Sequence, residues 1–410
     1  MGPSSQAPAA STPRHPRQDA VTSVLEGIRV VELGAWVAGP GAGGLLADWG
    51  ADVIKVEAPE GDPMRRLFAV LSGHGEPQSP PFDLDNRGKR SVVLDLRSED
   101  GRRDLHDLVA TADVFLTNLR PDAVERLGFG PEVLLEANER LVYAQVSGFG
   151  RTGPDAHRAG YDLGAFFARS GMASQAVPPD QPPVANAGGV GDHITGTTIT
   201  AGICAALFAR ERSGRGQLVD TSLLRAGIYT MGWPLTIQLR YGKHLPTDPR
   251  TTVGNPLINS YEAGDGRWFW LLGLEADRHW PPLLRAIGRP ELAEDERFGS
   301  AKGRRINAPA LIALLDETFA TADRDHWTAR FDEHDVWWAP VNTLAEVVDD
   351  PQAVAAGAFV DVPEGKGSAA HRAVMTPVDF GSTPAGPRRG VPGLGEHTAE
   401  VLAEVRRQER

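Results

Sequence analysis

Residues 25–57 read LEGIRVVELGAWVAGPGAGGLLADWGADVIKVE. The run Ile28–Leu33 is short, apolar and bounded by turn formers, which predicts a strand. Gly41–Trp49 predicts a helix and Ala51–Val56 a second strand, so the stretch is a β-α-β unit. The same alternation continues outward: strands over Val92–Leu96, Val114–Thr117 and Leu141–Ser147, helices over Asp100–Thr111 and Pro121–Leu127. Strands that alternate with helices imply an α/β fold, a Rossmann-like, doubly wound parallel sheet with buried strands.

Further along the pattern changes. An apolar segment, Ile194–Ala209, ends near Arg212, and Gly214 and Gly216 break it before Leu218–Leu224. Residues 240–256 are rich in Pro, Thr and charge. Residues 257–340 hold six of the nine tryptophans (Trp268, Trp270, Trp280, Trp327, Trp337 and Trp338) and read as a short strand followed by helices. The expected organisation is a disordered tail over 1–22 and a large domain over 23–225, completed by 345–410. A linker over 226–256 and a smaller α+β domain over 257–340 complete it. A last helix is expected near Glu396–Arg407.

Composition sets limits on function. Net charge is −12 over 410 residues, which argues against nucleic acid as a general partner. No apolar run reaches the ~18 residues a membrane span needs. The lone cysteine, Cys204, lies among apolar neighbours and reads as an inert thiol; it offers no disulfide and no cysteine-based metal site, and a reducing cytoplasm is the expected location. Cations cluster locally in Asn86-Arg87-Gly88-Lys89-Arg90 and in Arg65-Arg66. Such clusters serve either as solvated surface or as an anion site.

Two motifs invite a chemical reading. Gly39-Pro40-Gly41-Ala42-Gly43-Gly44 satisfies G-x-G-x-x-G, with Glu57 closing the next strand, as in dinucleotide sites. However, Gly34–Ala38 intervene between the strand and the first glycine, and Pro40 removes an N–H from any phosphate cradle. The second motif is Gly188-Gly189-Val190-Gly191-Asp192, which runs directly into the apolar segment at Ile194. An aspartate there is either a plain helix N-cap or a nucleophile. In the second reading, glycines let a substrate approach and helix N–H groups stabilise developing oxyanion charge.

Taken together, the segments resemble the class III CoA-transferases, the formyl-CoA and carnitine CoA-transferase family. The resemblance rests on the 25–33 strand, Ala38-Gly39-Pro40, Gly50–Glu57, Gly61-Asp62 with Arg65 and Asn86–Ser91 with Asp95-Leu96. It continues through Asn118-Leu119-Arg120-Pro121, Ser147–Pro154, Gly160-Tyr161-Asp162, Gly191-Asp192 and Gly214–Gln217. These pieces occur in order over nearly all of 25–380, more weakly after 240. The resemblance implies that Asp192 is the catalytic nucleophile. CoA then passes between an acyl-CoA donor and a free carboxylic acid through a mixed anhydride and an aspartyl-CoA thioester. It implies coenzyme A as co-substrate, no other cofactor and no metal, and small carboxylic acids as partners. It also implies an interlocked homodimer in which the linker wraps the partner.

By the same resemblance Arg126, in Val124-Glu125-Arg126-Leu127-Gly128, matches a CoA-contacting arginine. Lys89, Arg90 and Arg65 are further candidates for the nucleotide end. Val37 and Ala38 line the acyl site, and Gly189 and Gly191 serve as oxyanion or gating glycines. The alternative is an α-methylacyl-CoA racemase, which pairs the aspartate with a histidine in Gly-His-Asp; here that position is Tyr161, and a phenol is a far weaker base than imidazole at neutral pH. Tyr161 instead suits a hydroxyl lining the site, and His193, just after Asp192, reads as structural. Formyl-CoA transferase has glutamine where this chain has Val37. It also has a run of glycines where this chain has Thr252-Val253-Gly254-Asn255-Pro256. Both departures count against formate or oxalate as substrate, and Val37 with the aromatic-rich second domain points to a larger, less polar acyl group, unless those tryptophans simply fill the small domain's core.

Overall fold

Val30 and Val31 are both fully buried and, as neighbours on one strand, face opposite sides. Val30 enters a core with Ala42 and Leu46 of one helix and Ile199 and Ile203 of another. Val31 enters a second core with Leu105, Leu108, Val401 and Val405. A strand covered on both faces has no solvent-facing polar side, so β1 shows no apolar–polar alternation, and the charges it does carry, such as Glu32, are buried.

The computed structural model describes residues 23–72, 79–243 and 246–408; the tail expected over 1–22 lies outside them. The large domain runs β1 (Arg29–Leu33), α1 (Ala38–Asp48), β2 (Asp52–Glu57), α2 (Met64–Ser72), α3 (Pro80–Asn86), β3 (Arg90–Val93) and α4 (Glu99–Ala110). It continues with β4 (Val114–Thr117), α5 (Pro121–Arg126), α6 (Pro131–Ala137), β5 (Val142–Ser147), a π-helical turn over Leu163–Ala168, α7 (Met172–Gln175), α8 (Val190–Ser213) and β6 (Leu218–Ser222). All six strands are parallel, in the order β3-β2-β1-β4-β5-β6. That is the doubly wound order, with a topological switch point between β1 and β4.

Helices α9 (Leu223–Thr230) and α10 (Gly232–Tyr241) follow. The smaller unit is a three-stranded antiparallel sheet of β7 (Ile258–Glu262), β8 (Trp268–Leu272) and β9 (Trp338–Pro340). It is packed with α11 (Ala276–Ile287), α12 (Ala301–Ile306), α13 (Ala308–Phe319) and α14 (Arg324–Glu333). Its core takes Trp280 and Trp327 together with Phe269, Phe319 and Phe331, while Trp270 and Trp337 face outward. After α15 (Leu344–Asp349), α16 (Pro351–Ala355) and the hairpin of β10 (Phe359–Val362) with β11 (His371–Val374), the chain returns. Helix α17 (Thr398–Gln408) then places Val401 and Val405 in the core of the large sheet. Among the described residues no helix is long and apolar enough to cross a membrane.

Three differences from the sequence reading have physical causes. Strand β3 starts two residues before the predicted Val92, because Arg90 and Ser91, polar in sequence, are held by Asp52 and Glu57 from the neighbouring strand. Helix α1 begins at Ala38 rather than Gly41; Pro40, with its fixed φ, fits a first helical turn. The stretch read as linker is largely helical: α9 and α10 occupy most of 226–241.

Candidate active site

The loop leaving β1 crosses the switch point, where α/β folds place ligands. Its shape is fixed from two sides. Asn118, just past β4, accepts from the Ala35 N–H at 3.0 Å and donates to the Ala35 carbonyl at 2.7 Å. Trp36 sits in the left-handed region at φ +68°, a strained place for a bulky residue, with its N–H donating to Asp62 Oδ1. Asp62 is held by Lys55 at 2.9 Å, and Lys55 also bonds Glu32 and the Gly34 carbonyl. Lys89 closes the group on Glu32 Oε2 at 2.6 Å, the Pro40 carbonyl and Asn86 Oδ1. Two carboxylates and two ammoniums, all fully buried, thus neutralise one another beneath the loop. Such a network is costly to break on one side, so it holds the loop and the start of α1 in one conformation.

Helix α8 brings its own N-terminus to this loop. Gly189 adopts φ +82° and is the N-cap, and its N–H donates to Asp162 Oδ2 at 2.9 Å. Asp192 is therefore not the cap, as its position before the apolar run suggested, but lies in the first helical turn. Among the described residues no donor bonds its carboxylate, so capping does not consume it. Burial, and then the like charge of Asp162, push the Asp192 carboxyl up to about 7, against the opposing pull of His193.

Close packing ties these pieces together. A Cβ at Gly191 would lie 2.5 Å from the Phe166 ring, so only glycine allows α8 to start there. A Cβ at Gly196 would lie 3.0 Å from the Ala38 carbonyl, and one at Gly189 would lie 3.9 Å from Val37 Cγ1. Tyr161, exposed, stands edge-on to Trp36 at 5.7 Å. Of the residues picked out in the sequence, Asp192, Gly189, Gly191, Val37, Ala38 and Tyr161 converge where α1 and α8 begin.

The cations do not converge. Lys89 is wholly buried and committed to Glu32, so it cannot reach a ligand. Arg90 is buried on Asp52, Glu400 and Glu404. Arg65 is clamped bidentately on Glu57, over the Phe82 ring. For these three the reading as nucleotide ligands is corrected: each is an internal ion pair. Arg126 is exposed, holding only Asp122 on its own helix, beside Leu127. Leu127 lines a crevice of about 420 Å³ at the carboxyl ends of β1–β4, floored by Leu33, Val56 and Leu94. Exposed Arg97, paired with Asp95, lines the same crevice and was missed in the sequence, as was Trp36; Asn118 and Asp162 stood there in motifs but were given no role.

His193 was read as structural, yet its Nε2 lies 3.0 Å from Asp85 Oδ1 with the ring half-exposed. The Asp85 bond holds the imidazole above its ordinary pKa, helped by Asp192 and Asp162 and opposed by burial. The two residues are 108 apart in the chain, so spacing carried no signal. The arrangement as a whole offers a half-buried carboxylate near an imidazole bonded to Asp85, at two converging helix N-termini, next to an open crevice.

Known proteins place the chain in a family. The profile of CoA-transferase family III matches residues 25–398. The (R)-2-hydroxy-4-methylpentanoate CoA-transferase of Clostridioides difficile is 31% identical over 383 residues, covering 93% of this chain and 95% of the relative. The succinate–glutarate CoA-transferase of Agrobacterium fabrum is 37% identical over 396 residues, covering 94% and 96%. Among solved structures, a CAIB/BAIF family protein from Brucella suis superposes with a TM-score of 0.83 at 34% identity, covering 94% of this chain and all of that one. With the doubly wound sheet and the ordered motifs already in place, a match spanning this much of the chain leaves one assignment: the protein is an enzyme of CoA-transferase family III.

Proposed function

We propose that Asp192 is the nucleophile of a CoA transfer from an acyl-CoA to a free carboxylic acid. The observation that carries the reading is the position of its unbonded carboxylate at the meeting of the α1 and α8 N-termini, beside the crevice of the switch point. The Asp192 carboxylate attacks the thioester carbonyl, the C–S bond breaks and CoA leaves as thiolate, giving a mixed anhydride. The thiolate then attacks the aspartyl carbonyl of the anhydride and expels the donor acid, leaving an aspartyl-CoA thioester. The acceptor carboxylate attacks that thioester, the thiolate leaves again, and its attack on the acceptor carbonyl yields the new acyl-CoA and restores Asp192. No proton is gained or lost overall, and the thioester's free energy is conserved throughout.

Helix N–H groups at the start of α1 and α8 favour the oxyanions formed at each attack. A carboxyl destabilised by burial is also a more reactive nucleophile once ionised than one stabilised by a cap bond. We assign the nucleotide of CoA to the crevice at the carboxyl ends of β1–β4, with Arg97 and Arg126 as the exposed cations for its phosphates.

The active unit is read as an interlocked homodimer. Its support is α10, which buries no side chain and presents Trp233, Leu239 and Tyr241 to solvent, an apolar face that a lone chain leaves open. Sedimentation of the full chain tests this directly.

The function is tested by intact-protein mass spectrometry after exposure to a panel of acyl-CoA thioesters, wild type against Asp192→Ala. A CoA-sized covalent adduct on wild type alone is the expected result. No adduct with any donor, together with solvent deuterium entering the α-carbon of an acyl-CoA, would overturn it in favour of an isomerase.

A further inference from the structure

Among the described residues, Trp36 and Asp335 are the non-glycine positions with a positive φ, and Trp36 stands beside the nucleophile. The packing of α8 places it there. Gly189 lies against Val37 and Gly196 against the Ala38 carbonyl. Asp192 lies between these glycines and shares their face of the helix, so it meets the Val37–Ala38 end of the loop, with Trp36 the next residue back. The left-handed turn at φ +68° is imposed from outside, by Asn118 on both polar groups of Ala35 and by Asp62 on the Trp36 N–H. Full burial does not offset the strain, because the indole keeps 37% of its surface exposed. Strain held at a half-exposed aromatic next to a reactive carboxyl points to a role in function.

The indole meets the Tyr161 ring edge-on, with centroids 5.7 Å apart and planes at 79°, and Tyr161 is itself 62% exposed. Both rings are tied to the nucleophile's loop through their neighbours in sequence. Val37 Cγ1 lies 3.9 Å from a Cβ built at Gly189, and Asp162 accepts the Gly189 N–H. The pair also has a defined side. The crevice read as the nucleotide site is built on the ends of β1–β4, with Gly34 and Ala35 on its wall. Tyr161 follows β5, beyond β4 in the sheet, so the Trp36 ring is turned away from β2 and β3.

Resting on the transferase reading, we propose that Trp36 and Tyr161 form the wall that holds the acyl group, and that this wall selects acyl groups carrying an aromatic ring. A CoA whose nucleotide lies over β1–β4 brings its thioester carbonyl to Asp192, and the acyl group continues past that carbon to the β5 side. There it meets an exposed indole set edge-on to a phenol. An aryl ring adds an offset or edge-to-face contact that a saturated ring of the same size cannot make. The acceptor acid forms its anhydride on the same carboxyl, so its side chain meets the same wall.

The test compares 3-phenylpropanoyl-CoA with 3-cyclohexylpropanoyl-CoA, which share a carbon skeleton and differ in the π system. Affinities are read by calorimetry on full-length Asp192→Asn, which lacks the attacking carboxylate and so leaves the thioesters intact. The phenyl compound is expected to bind about three- to tenfold tighter. Trp36→Gly, which takes the left-handed turn without strain, and Trp36→Leu, which keeps an apolar side chain, should each bring that ratio to about one when added to Asp192→Asn. Tyr161→Phe keeps the ring and should preserve the ratio. The ratio is internal to each protein, so a general loss of packing lowers both affinities and leaves it unmoved. A ratio near one before Trp36 is changed, or a ratio that survives both Trp36 variants, would overturn the wall. So would sedimentation of both variants as a smaller species, which would make Trp36 a subunit contact. The CoA adduct on Asp192 of the wild type judges the transferase reading separately. An adduct without the phenyl ratio removes only the wall, and the ratio without an adduct removes only the reading.

Discussion

Replacing Asp192 with asparagine should make the protein more stable while abolishing transfer. The carboxyl is pushed from its ordinary 3.8 up to about 7, chiefly by burial. At about 1.4 kcal/mol per pH unit, that interval is on the order of 4 kcal/mol of native-state destabilisation when the group is fully ionised. Residual solvent contact and relaxation reduce this to about 2 kcal/mol. The sign follows from proton binding: the native state holds this proton more tightly than the unfolded chain. The penalty is absent below pH 3.8, where both states are protonated, grows as pH rises, and is complete above about 7. Asparagine has nearly the same shape and no charge, so it removes the penalty. The assay is thermal unfolding of wild type and Asp192→Asn at matched protein concentration from pH 4.5 to 8.5. The two melting curves should nearly coincide at the acid end and separate by several degrees, variant higher, at pH 8. A separation independent of pH, or a variant less stable at pH 8, would refute the reasoning.

The same titration governs rate. The nucleophile is the ionised form, so kcat/KM for the acyl-CoA donor should rise with pH through an apparent value near 7; a flat profile from pH 5.5 to 8 contradicts it. Asp162→Asn removes a like charge beside Asp192 while its amide oxygen can still accept from Gly189, so the midpoint of that profile should move to lower pH. Gly191→Ala drives a methyl to within 2.5 Å of Phe166 and should cost about 1–3 kcal/mol by denaturant unfolding. Lys89→Met strips Glu32 of one of its two ammoniums and should cost about 3–5 kcal/mol; the folded remainder should keep its KM for acyl-CoA, which a phosphate-binding lysine would not.

The sheet was legible because its strands alternate with helices and carry short β-branched segments such as Val30-Val31, buried on both faces of the sheet. Asp192 drew attention through local features, glycines that admit close approach, then an acid, then an apolar helix, but those features alone left a plain cap and a nucleophile both open, and the family resemblance separated them. The cations were not legible. Asn86–Arg90 reads as surface charge, yet Asn86, Arg87, Lys89 and Arg90 are all buried. Their partners are Glu32 on β1, Asp48 on α1 and Asp52 on β2, brought near only by the parallel pairing of β1, β2 and β3. Residue type announces a charge but not the counter-charge that will consume it. The His193–Asp85 pair fails the same way, and Trp36 gives no sequence sign that its backbone is left-handed.

The glycine fingerprint in α1 shows how a motif can be real and its usual explanation inapplicable. Gly41, Gly43 and Gly44 lie inside the helix, not in a loop before it, so they present no cradle of free N–H groups to a phosphate. What they supply is the absence of a side chain on the faces that meet the interior. A Cβ at Gly43 would lie 2.0 Å from Glu32 Oε2, and one at Gly44 would lie 2.8 Å from the Asp85 carbonyl. The helix can therefore settle onto the buried charge network on one side and onto α3 on the other. This close seat carries the α1 N-terminus to the α8 N-terminus, with Ala38 against Gly196, and leaves Asp85 within reach of His193. These glycines thus act through helix packing, and what the packing forms is the meeting point at which Asp192 stands.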